Sequence, residues 1–171
     1  MTEKRIGIGM MIVAWMLFLG LMYFVFRGHL SEQYNPNRQV KTITTDAVNT
    51  IVLTRNRNNH YVLNGKINGS TATFLLDTGA TEVTLPLNLA KQLGLRLLSR
   101  IYVQTANGLV TAYQTKIDTL TMGSITLHDV YALINTGEQG KTVLLGMSAL
   151  KHLTLTQRGN EMVITQHRVK D

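Results

Sequence analysis

The sequence predicts a mainly β fold, a small barrel or sandwich with one or two short helices, preceded by a single N-terminal transmembrane helix. Two patterns support this prediction. Residues 6 to 26 form an apolar run without a charged side chain. From residue 49 onward, short β-branched and aliphatic runs alternate with turn signals that contain Gly or Asn, as in antiparallel proteins. The 171 residues are enough for one domain with a core and a smaller separate element.

The apolar run from Ile6 to Phe26 predicts a membrane anchor over residues 1–27. A helix of this length rises roughly 30 Å, the thickness of the hydrocarbon core. A cleavable signal peptide is the alternative, because Lys4 and Arg5 precede the run. The run is longer than a signal-peptide core, however, and no small-x-small cleavage pattern follows it. A buried core helix is disfavoured because the run is not amphipathic.

The charges around the run indicate its orientation only slightly. Lys4 and Arg5 precede it and Arg27 follows it, which leans toward a cytoplasmic N-terminus and a periplasmic or extracellular domain. Residues 28–48 are polar, include Asn35-Pro36-Asn37, and lack apolar periodicity. We therefore expect a flexible linker here, with an accessible place for proteolytic cutting beside Pro36.

Residues 49–171 carry the predicted folded domain. Asn68-Gly69 and Asn107-Gly108 each predict a tight hairpin, because Asn and Gly supply the positive φ values that two-residue turns need. Pro86 and Gly94 enclose a predicted short helix, and a second follows Gly146. The predicted strands cover residues 50–54, 60–67, 71–76, 82–85, 101–106, 109–115, 117–122, 125–127, 130–134, 142–146, 153–156 and 162–165.

Asp77 is the candidate catalytic residue. It follows the apolar run Phe74-Leu75-Leu76 and precedes Thr78 and Gly79, so a carboxylate is expected where a buried strand enters a tight loop. Such a carboxylate is costly unless something uses or satisfies it. The alternative interpretation is an Asx turn, in which the side chain only satisfies backbone amides.

Other chemistries find less support in the sequence. The five histidines show no metal-ligand spacing, and the chain has no cysteine, so no metal site and no cofactor are predicted. His128-Asp129 lacks the Gly-x-Ser-x-Gly elbow that would complete a catalytic triad. The net charge of +7 is spread along the chain with few interleaved aromatic residues, which favours a basic face near anionic lipid over a nucleic-acid surface.

Three segments together resemble a known family. Leu75 to Thr81, the later Leu144-Leu145-Gly146, and the intervening Asn107-Gly108 hairpin are similar to the motifs of retropepsin-like aspartic proteases, in particular the bacterial membrane-anchored, single-domain members. The resemblance covers residues 49–165. It implies a closed acid-protease barrel and an active site that forms only in a two-fold homodimer, with one aspartate from each chain. The sequence agrees on this point, because Asp118 is followed by Thr119-Leu120 and no second Asp-Thr-Gly loop exists.

The resemblance also implies roles for individual residues. Asp77, Thr78 and Gly79 would form the catalytic loop, with Thr78 bonding across the dimer axis. Leu145 and Gly146 would lie beneath the loop. A flap over residues 104–109 would close on an extended peptide. The substrate-binding residues would be Ala80, Thr105, Ala106, Asn107 and Gly108.

The leading hypothesis is a membrane-anchored aspartic endopeptidase whose partners are a second copy of itself and a peptide or protein substrate. The alternative is a catalytically silent module of the same fold that binds peptides or serves envelope assembly. The chain departs from the viral members at Thr81 and Met147, where those enzymes usually carry an acid and a base. Contacts that brace the viral dimer are therefore not expected at these two positions.

Overall fold

The computed structural model describes residues 2–105 and 108–168. The chain divides into two compact units, Met1–Tyr34 and Asn35–Asp171. The first unit is one helix, α1 (Thr2–Tyr34). Its stretch Gly7–Tyr34 is long and apolar enough to cross a membrane, by length and composition only.

Helix α1 continues past the predicted end of the anchor. No residue between Arg27 and Tyr34 is a proline, so nothing removes a backbone donor from the helix there. Pro36 disfavours helical geometry at the residue before it, which explains why the helix ends at Tyr34.

The segment predicted as a linker contains ordered structure. Strand β1 (Lys41–Thr44) lies within it, and β2 (Val48–Thr54) begins at its end. Asn35 and Asn37 are buried. The sequence did not predict this order, because the segment is polar and shows no apolar periodicity. Asn35 and Asn37 are instead held in place by hydrogen bonds. The boundaries 1–27, 28–48 and 49–171 remain a prediction.

A four-stranded antiparallel sheet is formed by both ends of the second unit. Strands β10 (Thr154–Arg158) and β11 (Glu161–His167) form a hairpin, and β11 pairs with β2. The strand order is β1-β2-β11-β10. The first strands of the unit are thereby bonded to its last.

A seven-stranded sheet holds the remaining strands, in the order β3-β4-β9-β5-β8-β7-β6. The pairs β4–β9 and β5–β8 are parallel. Strand β3 also pairs with β7 through Lys66 and Ile67, so the sheet curls back onto itself. Its members are β3 (Val62–Ile67), β4 (Ser70–Leu76), β5 (Val83–Pro86), β6 (Arg100–Thr105), β7 (Gly108–Met122), β8 (Ile125–Asn135) and β9 (Thr142–Leu145).

The mainly β prediction is confirmed, with two short helices in the second unit, α2 (Leu87–Gln92) and α3 (Met147–Leu150). Two pairs of predicted strands are each one continuous strand, in β7 and in β8. The predicted break in β8 falls at Asp129, which remains part of the strand although its φ is 55°. Apolar side chains from both sheets and both short helices form the core, including Ile51, Phe74, Leu85, Ile134 and Leu150.

Candidate active site

Asp77 lies where β4 ends, as predicted. The strand is parallel to β9, with Leu76 opposite Leu145. The Asp77 amide continues this ladder by donating to the Leu145 carbonyl at 3.1 Å. The backbone of the carboxylate residue is therefore fixed by the Leu-Leu-Gly segment.

The loop after Asp77 is a tight turn over Thr78 and Gly79. The Ala80 amide donates to the Asp77 carbonyl at 3.3 Å, and the Gly79 amide donates to Asp77 Oδ1 at 2.9 Å. The second bond is the Asx interaction of the alternative interpretation. It uses one carboxylate oxygen, and the side chain is only half-buried. The turn therefore orients the carboxylate while leaving it accessible.

Two backbone hydrogen bonds join the turn to α3. The Met147 amide donates to the Ala80 carbonyl at 2.8 Å, and the Ser148 amide donates to the Thr81 carbonyl at 2.9 Å. These amides belong to the first turn of the helix, where N–H groups have no partner within the helix. Thr81 and Met147, the positions that depart from the viral pattern, thus take part in a main-chain connection.

Gly146 makes this close approach possible. A Cβ atom on Gly146 would lie 2.4 Å from the Glu82 carbonyl oxygen and 2.8 Å from the Ala80 carbonyl oxygen. Any side chain here would separate α3 from the loop. Leu145 is fully buried beside it. Both residues therefore adjoin the loop, and the supporting role that the resemblance implies for them stays a prediction.

Sequence reasoning missed Ser148. Its hydroxyl accepts from the Val83 amide at 2.9 Å and donates to the Tyr131 carbonyl at 2.8 Å. One side chain thus connects α3 to β5 and β8. The only signal in the sequence was a serine in the first turn of a predicted short helix, and this position does not reveal which residues its hydroxyl bonds.

The predicted flap is an antiparallel hairpin of β6 and β7, with Thr105 opposite Gly108. Gly108 has a φ of 103°, a backbone conformation that glycine adopts without strain. Tyr102 and Leu109 expose about two thirds of their surface, 64% and 67%. Ala106 and Asn107, two residues of the predicted flap, lie outside the described residues. How the flap residues and Ala80 contact a substrate stays a prediction.

Among the described residues, the Asp77 carboxylate takes part in no ion pair. Among the residues described, the Asp77 side chain is hydrogen-bonded to the Gly79 amide alone. The ion pair in the described ranges joins Lys116 Nζ and Asp129 Oδ1 at 2.7 Å, on adjacent strands of the β7–β8 hairpin. Hydrogen bonding and attraction between them raise the pKa of Lys116 and lower the pKa of Asp129.

A family model described as "gag-polyprotein putative aspartyl protease" matches residues 63–152, more than half of the chain and including both site segments. The chain belongs to this family. Among solved structures, a retropepsin-like aspartic protease from Rickettsia conorii is 23% identical, with a TM-score of 0.59, covering 75% of this chain and 95% of that one. This aspartyl protease family member therefore has the retropepsin-like fold.

Two further similarities are found. The inhibitor-bound protease of EIAV is 20% identical with a TM-score of 0.47, covering 58% of this chain and 92% of that one. A Sinorhizobium protein described as uncharacterized, in the cobV 5' region, is 28% identical over 169 residues, which are 91% of this chain and 72% of that protein. That description gives no activity.

Proposed function

We propose that this protein is a membrane-anchored aspartic endopeptidase whose active site is completed by a second copy of the chain. The observation that carries the proposal is the geometry of Asp77. Its backbone is fixed to β9 and one carboxylate oxygen is oriented by Gly79, while the residue is only half-buried. A rigidly held and accessible carboxylate suits acid–base catalysis.

The requirement for two chains follows from the number of carboxylates. Hydrolysis by an aspartic protease uses two carboxyls that share one proton. This sequence has one Asp-Thr-Gly loop. Thr78 beside it is exposed, and its side chain has no hydrogen bond within the described residues. An exposed hydroxyl next to Asp77 supports contact with a partner, in line with the role that the resemblance gives Thr78.

In the proposed mechanism, the two Asp77 carboxyls of a dimer hold one water. The ionised carboxylate takes a proton from the water, whose oxygen attacks the scissile carbonyl carbon. The protonated carboxyl hydrogen-bonds the carbonyl oxygen and stabilises the charge that develops there. The C–N bond then breaks as a carboxyl returns a proton to the nitrogen, giving a carboxylic acid and an amine. The β6–β7 flap would cover the peptide and exclude water.

The anchor has a proposed role in assembly. Helix α1 would hold the chain in the membrane with the catalytic unit on the periplasmic or outer side. Confining two copies to one membrane raises their effective concentration and would offset a weak dimer interface.

Asp77→Asn tests the activity. The substitution keeps the size of the side chain and its acceptor for the Gly79 amide but removes the acid. We expect cleavage of a peptide library by the full chain in lipid vesicles to fall by at least about a thousandfold, with an unchanged melting temperature. Asp118→Asn removes an exposed acid elsewhere and should retain full activity.

Equal cleavage by the wild-type and Asp77→Asn chains would refute the enzymatic proposal. Binding of extended peptides without cleavage by either chain would instead support the silent module.

A further inference from the structure

Residues 35–37 lie along the outer edge of β3. Asn37 forms a parallel bridge with Leu63, and the Asn64 amide donates to the Asn37 carbonyl at 3.3 Å. β3 is the first strand in the sheet order, and its pairing with β7 reaches only Lys66 and Ile67. The segment therefore covers part of an edge whose backbone groups would otherwise lack partners.

The Asn37 side chain joins the two sheets. It is buried, with 4% of its surface exposed. Its Nδ2 donates to the Thr54 carbonyl at 2.9 Å and the Val62 carbonyl at 2.7 Å, and its Oδ1 accepts from the Thr54 amide at 2.7 Å. Both amide hydrogens and the oxygen are thus used. Thr54 ends β2 and Val62 begins β3, so one side chain fixes the point where the chain passes from one sheet to the other.

A second branch of the same network reaches the active-site strand. Asn35 Oδ1 accepts from the Asn37 amide at 3.0 Å, and Asn35 Nδ2 donates to Asn64 Oδ1 at 2.8 Å. The Thr73 hydroxyl donates to the same Asn64 oxygen at 3.2 Å. Thr73 belongs to β4, the strand that ends at the catalytic loop.

β3 in turn supports the backbone next to Asp77. Val62 is opposite Leu75 in the β3–β4 ladder. The Tyr61 carbonyl accepts from the Leu76 amide at 3.0 Å. We infer that Asn37, in the segment directly after the membrane helix, is a positioning residue for Asp77, acting through Val62 and β3. The structural part stands on this geometry, and its catalytic consequence rests on the proposed function.

Hydrogen exchange of the full chain in detergent micelles tests the structural part without any activity. In Asn37→Ala, the Thr54 amide and the Thr54 and Val62 carbonyls lose their partner, so the start of β3 should open more often. We expect the Leu76 and Asp77 amides to exchange at least about tenfold faster than in the wild type. Asn35→Ala removes fewer bonds and should give a smaller increase in the same direction.

Two controls separate positioning from general destabilisation. Ile125→Val and Ile125→Ala remove buried volume from β8 and provide chains with graded losses of melting temperature. At a matched melting temperature they should leave exchange at Leu76 and Asp77 unchanged. Gln39→Ala, at an exposed position just beyond the segment, should match the wild type.

Peptide cleavage gives the second readout. Measured well below the melting temperature, Asn37→Ala should lower kcat by about tenfold and leave KM nearly unchanged, because a displaced Asp77 weakens the reaction more than peptide binding. The Ile125 variants should keep both constants.

Unchanged exchange at Leu76 and Asp77 in a folded Asn37→Ala chain would overturn the inference, as would equal acceleration in the matched Ile125 variants. If Asn37→Ala does not fold, the same test is made with Asn35→Ala: unchanged exchange at Leu76 and Asp77, or acceleration equal to that of the matched Ile125 variants, would overturn the inference. Faster exchange in a chain that shows no Asp77-dependent cleavage would sustain the positioning and reject the proposed enzyme.

Discussion

Single residues decide how closely α3 approaches the loop after Asp77. Gly146 stands between α3 and the carbonyl groups of Ala80 and Glu82, at distances that exclude a Cβ atom. Gly79 has a different role, because its amide holds one oxygen of Asp77. The two glycines serve the site in separate ways, one by lacking a side chain and the other by presenting an N–H group.

Gly146→Ala tests the close approach. The new methyl group would meet backbone atoms, which cannot rotate away as a flexible side chain can. We expect the free energy of unfolding to fall by about 1–3 kcal/mol, with lower activity because the loop beside Asp77 must shift. Thermal unfolding and peptide cleavage measure the two effects.

Gly137→Ala is the matched control. A Cβ atom there would lie 3.6 Å from its nearest neighbour, Asn135 Oδ1, an ordinary contact. Equal stability of the two glycine variants would contradict the close packing described for Gly146.

At the scale of elements, the β7–β8 hairpin carries a polar interaction across its two long strands. Lys116 and Asp129 form an exposed ion pair, and Asp129 is also the residue at which the β8 backbone takes a positive φ. The pair raises the pKa of Lys116 and lowers the pKa of Asp129. Its contribution to stability is small, since both groups are accessible to water and salt.

The pH dependence of this pair has a definite sign. Because the folded-state pKa of Asp129 is lowered, its stabilising effect is present above the unfolded pKa and is lost as the pH falls through the folded pKa. Because the pKa of Lys116 is raised, its effect is lost as the pH rises through that value. In Lys116→Gln, the Asp129 titration midpoint should move upward, as measured by carboxyl carbon NMR.

Lys141→Gln removes one positive charge at another exposed position and should leave the Asp129 midpoint in place. Salt at about 1 M should shrink the difference between Lys116→Gln and the wild type by screening. An Asp129 midpoint that does not respond to Lys116→Gln would show that the ion pair does not form in solution.

At the scale of the whole molecule, the proposed active site needs two chains while each chain supplies one Asp77. Mixing tests this directly. Wild-type and Asp77→Asn chains are reconstituted together at a fixed total amount, and peptide cleavage is followed. If both carboxyls are required and the chains pair at random, a 1:1 mixture should keep about a quarter of the wild-type activity.

If the mixture instead keeps half of the wild-type activity, each chain acts alone, and the proposal of a site shared between two chains is rejected. A 1:1 mixture of wild-type and Asp118→Asn chains should keep the full wild-type activity, since that acid lies outside the proposed catalytic loop. The measurement is made in one vesicle population, because chains that the proposed anchor holds in separate membranes could not exchange.

The resemblance to a known family joined Leu145 and Gly146 to the Asp77 loop. The residue patterns by themselves predicted the strand-rich fold, the long apolar helix and the position of Asp77 at the end of a buried strand. These features are local: a period of apolar residues, an Asn-Gly pair or an Asp-Thr-Gly triplet carries its meaning in neighbouring positions. The family match to residues 63–152 agrees with that interpretation.

The tertiary structure alone decided the roles of Ser148 and Asn37. Each makes its hydrogen bonds to residues distant in sequence, from Ser148 to Val83 and Tyr131 and from Asn37 to Thr54 and Val62. A polar residue in a polar segment predicts a loop when it is considered by itself. Its partners exist only once the strands are paired, and for that reason residues 35–37, within the segment expected to be a linker, lie along the edge of β3.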